Sequence, residues 1–399
     1  MADHQIAVLF PGQGAFDGAA LVEAARRYPQ VEQIFKDMDS VTDELFGRRL
    51  TEVLFAEDTP NIGTLLADEP WVSQLAIFGS DVAAYRILVD NGLRPDVLVG
   101  HSLGEIAALV SASVYSLADG ARIVAARVAA LGEPSAGTMA ALTTDGDRAR
   151  RIIDVIGDEF LAVAVENHAE QTVLSGPPES VAQAVGVARQ VGIGATELNS
   201  PFAFHNPALA PSVPGFAAVI AEHVTHPIDV PVYSSTEQRY YSDDDPLADL
   251  LAAHLVKPVL FGAAISRLHD DGVRVFVEAG CGGALSKLVG KILQADPTVR
   301  ALPSLSLDSD GALSLDATLA ELGGDADPVA VLAAALAPGT SRARFDRFWQ
   351  THGSEIRAVV AERLADLDHE PPAAADPVVG DQSTPIRGDI ATEIRSVYA

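Results

Sequence analysis

Apolar residues fall into short runs closed by glycine and proline, with longer stretches of helical spacing between them. Gln5 to Phe10 is an apolar run that stops at Pro11-Gly12-Gln13-Gly14, the pattern of a buried strand ended by a turn. Ala19 to Phe46 carries Leu, Val, Ile and Phe on one side and predicts helix. Trp71 to Asn91 does the same through Val72, Leu75, Ala76, Phe78 and Val82. Asp96 to Val99 reads as a buried strand that runs into Gly100-His101-Ser102-Leu103-Gly104, and helix formers follow from Glu105 to about Val114. Between Gly137 and Ser200 the pattern changes. Strands are predicted at Thr138–Leu142, Leu161–Val165, Gln171–Leu174 and Ala195–Leu198, with helices at Gly146–Ile156 and Pro178–Gln190. That order, β-α-β-β-α-β, is the split ferredoxin-like unit. The larger pattern resumes near Pro207, so the unit reads as an insertion.

Farther along, Pro231–Ser234 predicts a strand and Pro246–Leu255 a helix. Val273–Glu278 predicts a strand that ends in Gly280-Cys281-Gly282-Gly283, with a helix after it. From Gly311 the chain is rich in Ala and Asp, and Ser341–Leu367 has helical spacing. Glu370 to Gly388 is a Pro-, Ala- and Asp-rich linker, and Asp389 to Ala399 opens another short helix. The expected organisation is an α/β fold. An α/β-hydrolase-like large subdomain with a parallel sheet takes residues 1–136 and 201–310, and the ferredoxin-like small subdomain takes 137–200. A helical C-terminal extension follows over 311–369, and a linker or tail over 370–399. No internal repeat interrupts this order.

Composition narrows the function. The 399 residues hold 27 Lys+Arg against 55 Asp+Glu, a formal net charge of −28. Such a surface opposes nucleic-acid phosphates and anionic membranes, so neither is an expected partner. With 48 % hydrophobic and 21 % charged residues, the chain is not wholly disordered. Cys281 is the only cysteine, which excludes an internal disulfide and a Cys-rich zinc site. No run approaches the ~18 unbroken apolar residues of a membrane span. Met1-Ala2-Asp3-His4 lacks the basic start of a signal peptide, and the expected location is the cytoplasm. No histidine pair with metal-ligand spacing is present, and Gly12-Gln13-Gly14 lacks the rest of a dinucleotide fingerprint. No metal or resident cofactor is therefore expected.

Strand, G-x-S-x-G and helix form the context of a nucleophile elbow. The serine sits in a strained turn whose glycines let backbone pass close by. The N–H of Leu103 then points toward the oxygen of an attacked carbonyl. A serine needs a base to become a nucleophile.

Further matches accompany the elbow. Phe10-Pro11-Gly12-Gln13-Gly14 and Gly100-His101-Ser102-Leu103-Gly104-Glu105 are followed by Gly137-Thr138-Met139-Ala140-Ala141. Glu166-Asn167 with Gln171 and Ser175-Gly176 come next, then Ser200-Pro201-Phe202-Ala203-Phe204-His205. Pro231-Val232-Tyr233-Ser234-Ser235, Leu255-Val256-Lys257-Pro258-Val259 and Glu278-Ala279-Gly280 complete the series. Together, from about residue 5 to 305, they resemble the malonyl-CoA:acyl carrier protein transacylase family, which includes the acyltransferase domains of polyketide and fatty acid synthases.

The resemblance implies roles. Ser102 would be the nucleophile that takes the acyl group as an ester, and His205 the general base, oriented by backbone carbonyls rather than by a carboxylate. The backbone N–H groups of Gln13 and Leu103 would form the oxyanion hole. Arg127, on the helix after the elbow helix, would grip the free carboxylate of a malonyl group through a planar, bidentate pair; Arg122 nearby reads as a surface arginine. Asn167 is placed with the substrate-binding residues. Three departures stand out. Arg127 is followed by Val128-Ala129-Ala130-Leu131 where the family has Gly and then Met. His254 precedes Leu255 where Gln or Asn is common, and would either hydrogen-bond the acyl carboxylate or fill space. Cys281 replaces a proline, with no catalytic role expected.

In polyketide acyltransferases His-Ala-Phe-His goes with malonyl and Tyr-Ala-Ser-His with methylmalonyl. Phe202-Ala203-Phe204-His205 follows the malonyl pattern except at Phe202. Phe204 would crowd a branch on the α-carbon, and one methyl is otherwise worth only about 1–3 kcal/mol in a pocket. The implied activity is ping-pong transfer of a malonyl-type unit from coenzyme A, through a Ser102 ester, to the phosphopantetheine thiol of an acyl carrier protein in polyketide or fatty acid biosynthesis. Acyl-CoA, the carrier protein and polyketide synthase modules are the implied partners. Transfer between carrier proteins and hydrolytic editing of stalled acyl groups are the alternatives, and Arg127 speaks against the hydrolase. With Met1 just ahead of the first strand, the chain reads as a discrete acyltransferase acting in trans, or as an N-terminal or excised domain. Carrier proteins of this family are acidic, so docking would need a local basic island. Arg148, Arg150 and Arg151 offer one, and Arg342, Arg344 and Arg347 another.

Overall fold

The computed structural model describes residues 5–55, 68–132, 137–308, 311–322, 348–349 and 351–353. By its contacts the chain divides into two units. One holds Met1–Val89 and Leu93–Gly323; the other holds Asp90–Gly92 and Gly324–Ala399. In the second unit the described residues Phe348, Trp349 and 351–353 are helical. The remainder of the predicted helix Ser341–Leu367, the linker 370–399 and the cluster Arg342, Arg344 and Arg347 lie outside the described residues.

In chain order the strands of the first unit are β1 (Gln5–Phe10), β2 (Val97–Gly100), β3 (Thr138–Leu142), β4 (Ala162–His168), β5 (Gln171–Gly176), β6 (Ala195–Leu198), β7 (Val232–Ser234), β8 (Arg239–Tyr240), β9 (Val273–Cys281) and β10 (Arg300–Leu305). The large sheet runs β10-β9-β1-β2-β7-β8. Its first five strands are parallel, and β8 turns back antiparallel on β7. β2 is buried throughout, and β1 from Ala7 to Phe10. This explains why both read as unbroken apolar runs rather than alternating ones. The helix Gly104–Ser111 packs on β1 and β2, and Ala284–Ile292 on β9 and β10. The architecture is the α/β arrangement expected from the sequence.

Two boundaries differ from expectation. The run Ala19–Phe46 is two helices, Gly18–Arg27 and Pro29–Phe46, joined at Tyr28 with φ −125° and ψ 106°. The ring of Pro29 drives the residue before it out of the helical region, while Pro29 itself suits the first turn of the next helix. The large subdomain also continues to about residue 322 instead of ending at 310. The helix Ser314–Glu321 belongs to it, because Leu313 and Leu315 are buried in the main core and the Thr318 hydroxyl donates to the Pro303 carbonyl at 2.6 Å. Arg27 adds a bidentate pair to Asp316 at 2.7 and 2.8 Å.

The inserted segment forms its own antiparallel sheet, ordered β4-β5-β3-β6. Helices Gly146–Ile156 and Pro178–Gln190 pack against each other and against this sheet. Their inward residues, including Ala149, Ile152, Val181 and Ala184, make a separate small core with Ala140, Leu142 and Leu174. One strand edge ties the two subdomains. The Glu166 N–H donates to the Val259 carbonyl at 2.8 Å, and the Val259 N–H to the Ala164 carbonyl at 2.9 Å.

The helix Pro70–Asp90 is long and apolar enough to cross a membrane by composition, yet 83 % of that window is buried inside the protein. It carries Asp81, fully buried with no hydrogen-bond partner on either carboxyl oxygen. Across from it Glu278 of β9 accepts the Ser286 N–H at 2.7 Å at the start of the helix Ala284–Ile292. Burial, then the nearby Glu278, pushes the Asp81 carboxyl well above the usual range, so the folded chain keeps its proton. The unfolded chain releases that proton above about pH 3.9. Stability from this site is therefore lost as pH rises, because the folded state binds more protons. Asp81→Asn should raise the melting temperature more at about pH 8 than at about pH 5. An equal change at both, or a larger gain at the lower pH, contradicts a protonated Asp81.

Candidate active site

β2 delivers Ser102 into a tight turn. A Cβ on Gly100 would collide with the backbone of Glu105, and one on Gly104 with the backbone of Phe10, so both flanks of the serine must be glycine. Ser102 itself has φ 57°. His205 arrives from the segment after β6 with φ 54°. Such backbone costs on the order of 1–3 kcal/mol per residue and persists where neighbours over-determine it. Asn206 does so for His205. Its N–H donates to the Leu255 carbonyl at 2.9 Å, and its Nδ2 donates to the Phe160 carbonyl, the Ser175 carbonyl and Ser175 Oγ at 2.8, 3.1 and 3.0 Å.

Ser102 Oγ lies 2.6 Å from His205 Nε2, and His205 Nδ1 lies 2.9 Å from the Lys257 carbonyl. A carbonyl only accepts, so Nδ1 carries the proton and Nε2 presents its lone pair to the serine hydroxyl. The ring is thus oriented as a base without a carboxylate partner. Burial, then the charge of Arg127, then His254 depress the imidazole to about 3, while the Lys257 carbonyl works in the opposite direction.

The loop after β1 lies against the elbow; a Cβ on Gly12 would sit 2.5 Å from the His101 carbonyl. Among the described residues the N–H groups of Gln13 and Leu103 donate to no protein acceptor. The helix Gly104–Ser111 starts right after Leu103, adding the positive end of its dipole. Two free donors beside an activated serine are what a tetrahedral oxyanion requires. The Gln13 side chain is held by Ser73 Oγ at 3.1 Å.

Arg127 is buried beside Ser102. Its Nη1 donates to Gln74 Oε1 at 2.6 Å and its Nη2 to Ser102 Oγ at 3.3 Å, and its guanidinium carbon stands 5.4 Å from the centre of the Phe204 ring. It has no carboxylate partner among the described residues. Burial lowers it to about 10, which still leaves it charged at neutral pH. Arg122 instead points outward to Glu44. Phe202 and Phe204 are both buried, with ring centres 5.7 Å apart.

Asn167 of β4 reaches the residue before the serine. Its Oδ1 is 3.1 Å from His101 Nε2, and its Nδ2 donates to Gln171 at 3.0 Å. His254 is buried with Nε2 at 3.3 Å from the Tyr241 hydroxyl and 3.7 Å from Glu105 Oε2. Tyr241 gives its proton to Glu105 at 2.8 Å, so its oxygen accepts from His254 Nε2–H. Glu105 also accepts from Ser235 Oγ and the Thr236 N–H, each at 3.1 Å. Burial lowers the His254 imidazole although Glu105 opposes this. The Cys281 thiol is buried and pushed up to about 12, the state of an inert thiol.

Sequence reasoning missed Gln74, Asn206, Tyr241 and the Glu105 anchor. Gln74 had a legible signal as a polar residue on the apolar run Trp71–Asn91. Glu105 stands in the Gly100–Glu105 motif without any sign of its partners, and Tyr241 had no signal, since the two meet only after folding.

Known proteins match this chain over most of its length. The acyl transferase domain family matches residues 8–322. Polyketide synthase GfsA of Streptomyces halstedii is 32 % identical over 292 residues, which cover 72 % of this chain and 4 % of that protein. The chain thus spans a small part of the length of that synthase. The malonyl CoA-acyl carrier protein transacylase of Bacillus subtilis (strain 168) is 28 % identical over 297 residues, covering 72 % of this chain and 90 % of that protein. Among solved structures, the acyltransferase domain from module 8 of the salinomycin polyketide synthase superimposes with a TM-score of 0.73 at 26 % identity, over 80 % of this chain and 75 % of that one.

A base whose pKa is depressed stays unprotonated, and so competent, until pH falls through the lowered value. Labelling of Ser102 by a fluorophosphonate should therefore hold its plateau at about pH 5, where an ordinary histidine of pKa ~6.5 is already protonated. A labelling midpoint near that ordinary value contradicts the buried, charge-depressed His205.

Proposed function

The chain belongs to the acyl transferase domain family, and on that premise we propose that it is an acyl-CoA:acyl carrier protein S-acyltransferase for malonyl-type units. The observation that carries the reading is Arg127, a buried guanidinium 3.3 Å from the nucleophile oxygen with no carboxylate of its own among the described residues. An unpaired buried charge is costly, and a carboxylate on the acyl group supplies the partner. In the first half-reaction His205 takes the proton of Ser102 Oγ as that oxygen attacks the thioester carbonyl. The oxyanion rests on the Gln13 and Leu103 N–H groups, and coenzyme A leaves as the thiol with the proton from His205. In the second half the phosphopantetheine thiol of a carrier protein gives its proton to His205 and attacks the ester. Ser102 Oγ leaves and recovers the proton.

Phe204 supports malonyl over branched units. Its ring stands beside Arg127, where the carbon between carbonyl and carboxylate must lie. Phe202 packs behind it. Asn167 acts through His101, whose ring it holds one residue before the nucleophile. For the carrier protein, Arg148, Arg150 and Arg151 are all exposed, and Arg150 is tied to Asp147 and Glu166, which leaves Arg148 and Arg151 as the charges of that island without a carboxylate partner among the described residues. No resident cofactor enters this chemistry, and a cytoplasmic location suits its coenzyme A substrate.

Malonyl-CoA should add one malonyl group to the wild-type chain by intact mass and none to Ser102→Ala; an undiminished adduct on the variant removes Ser102 from the chemistry. Arg127→Ala should lower the preference for malonyl over acetyl thioesters by about ten- to hundredfold, the worth of a charge-assisted pair. Unchanged preference removes the clamp.

A further inference from the structure

The Ser102 hydroxyl touches two groups of opposed consequence. His205 Nε2, at 2.6 Å, must become positive when it takes a proton, and Arg127 Nη2, at 3.3 Å, is already positive. A like charge within ~4–6 Å disfavours the charged form of a titrating group. We propose that Arg127 is a charge switch on His205: unpaired, its guanidinium opposes the imidazolium that proton transfer creates, and the acyl group's own carboxylate removes that opposition. This rests on the transferase reading and extends it, because the carboxylate then serves the chemistry as well as the binding.

The surroundings of His205 leave Arg127 as the charge to be balanced. Lys257 gives the imidazole its carbonyl, and its Nζ is paired with Glu237 at 2.7 and 2.8 Å. His101, held by Asn167, and His254, held by Tyr241, are both shifted toward the neutral form by burial. Glu105 is the buried carboxylate nearby, and it is engaged by Ser235, Thr236 and Tyr241. Arg127 has only neutral partners, Gln74 and Ser102, and the face of Phe204. These groups are buried, so little water screens the repulsion.

The consequence falls on the second half-reaction. A malonyl ester on Ser102 keeps its carboxylate on Arg127 while the incoming thiol gives its proton to His205 Nε2, sulfur bonds the ester carbonyl, and Ser102 Oγ departs with that proton. An acetyl ester leaves Arg127 unpaired during the same step. Loading errors with monocarboxylic acyl groups would then turn over slowly as well as form rarely.

The test is a titration of the histidine ring resonances of the full chain by NMR, with His205 assigned through His205→Gln. Spectra are taken without ligand, with malonate, and with acetamide, a neutral stand-in for an acetyl group that brings no carboxylate. Malonate should raise the His205 midpoint by about one to three pH units, and acetamide should leave it in place. In Arg127→Gln the midpoint should be raised without ligand, and malonate should add nothing. Saturable malonate binding with an unmoved His205 midpoint overturns the switch and leaves the transfer reading intact. Absence of malonate binding also overturns the switch, whereas failure of malonyl-CoA to label Ser102 overturns the transfer reading beneath it.

Discussion

The 2.6 Å contact between Ser102 Oγ and His205 Nε2 joins residues 103 apart in the sequence, and the architecture around it serves to hold that contact. The serine is presented by a parallel strand and the helix that follows it, at a turn where only glycine fits on either side. The histidine comes from the chain's return out of the inserted subdomain and is set by two backbone-directed bonds, its own to Lys257 and that of Asn206 to Leu255. Asn206 also reaches Phe160 and Ser175 in the small subdomain, and Asn167 reaches from that subdomain to His101. The insertion is thus part of how Ser102 and His205 are placed.

Charge is the second constraint. The chain as a whole is strongly acidic, at −28, yet the buried site is built around a cation. Burial keeps the neighbouring histidines neutral and leaves Arg127 charged. The site therefore has a deficit of one negative charge, which on the proposed reading a dicarboxylic acyl group would fill. Specificity and basicity would then draw on the same charge, since the group proposed to recognise the substrate also stands against the imidazolium.

Much of this was legible beforehand. The elbow and the ferredoxin-like order of the insertion follow from short motifs whose spacing encodes local turns and periodicity, whereas the roles expected of Ser102, His205 and Arg127 come only from the family resemblance that those motifs carry. What was not legible is long-range or depends on termination. Tyr28-Pro29 divides a helix that looked continuous, because the apolar spacing carries across the break. The helix Ser314–Glu321 belongs with β10, a fact of packing that composition did not signal. The sequence allows His254 two roles, and its place on the Tyr241–Glu105 chain comes from three segments that meet only in the fold. Gln74 shows the middle case. A polar residue in an apolar helix stands out in the sequence, but nothing there says what it meets.

Loading of the wild-type chain from an equimolar pool of malonyl-, methylmalonyl- and acetyl-CoA, resolved by intact mass and mapped to the acylated residue, reads the selectivity of Ser102 and Arg127 together. A single dominant malonyl ester on Ser102 is expected. Equal loading by acetyl-CoA, or an ester on any other residue, would overturn malonyl transfer through Ser102.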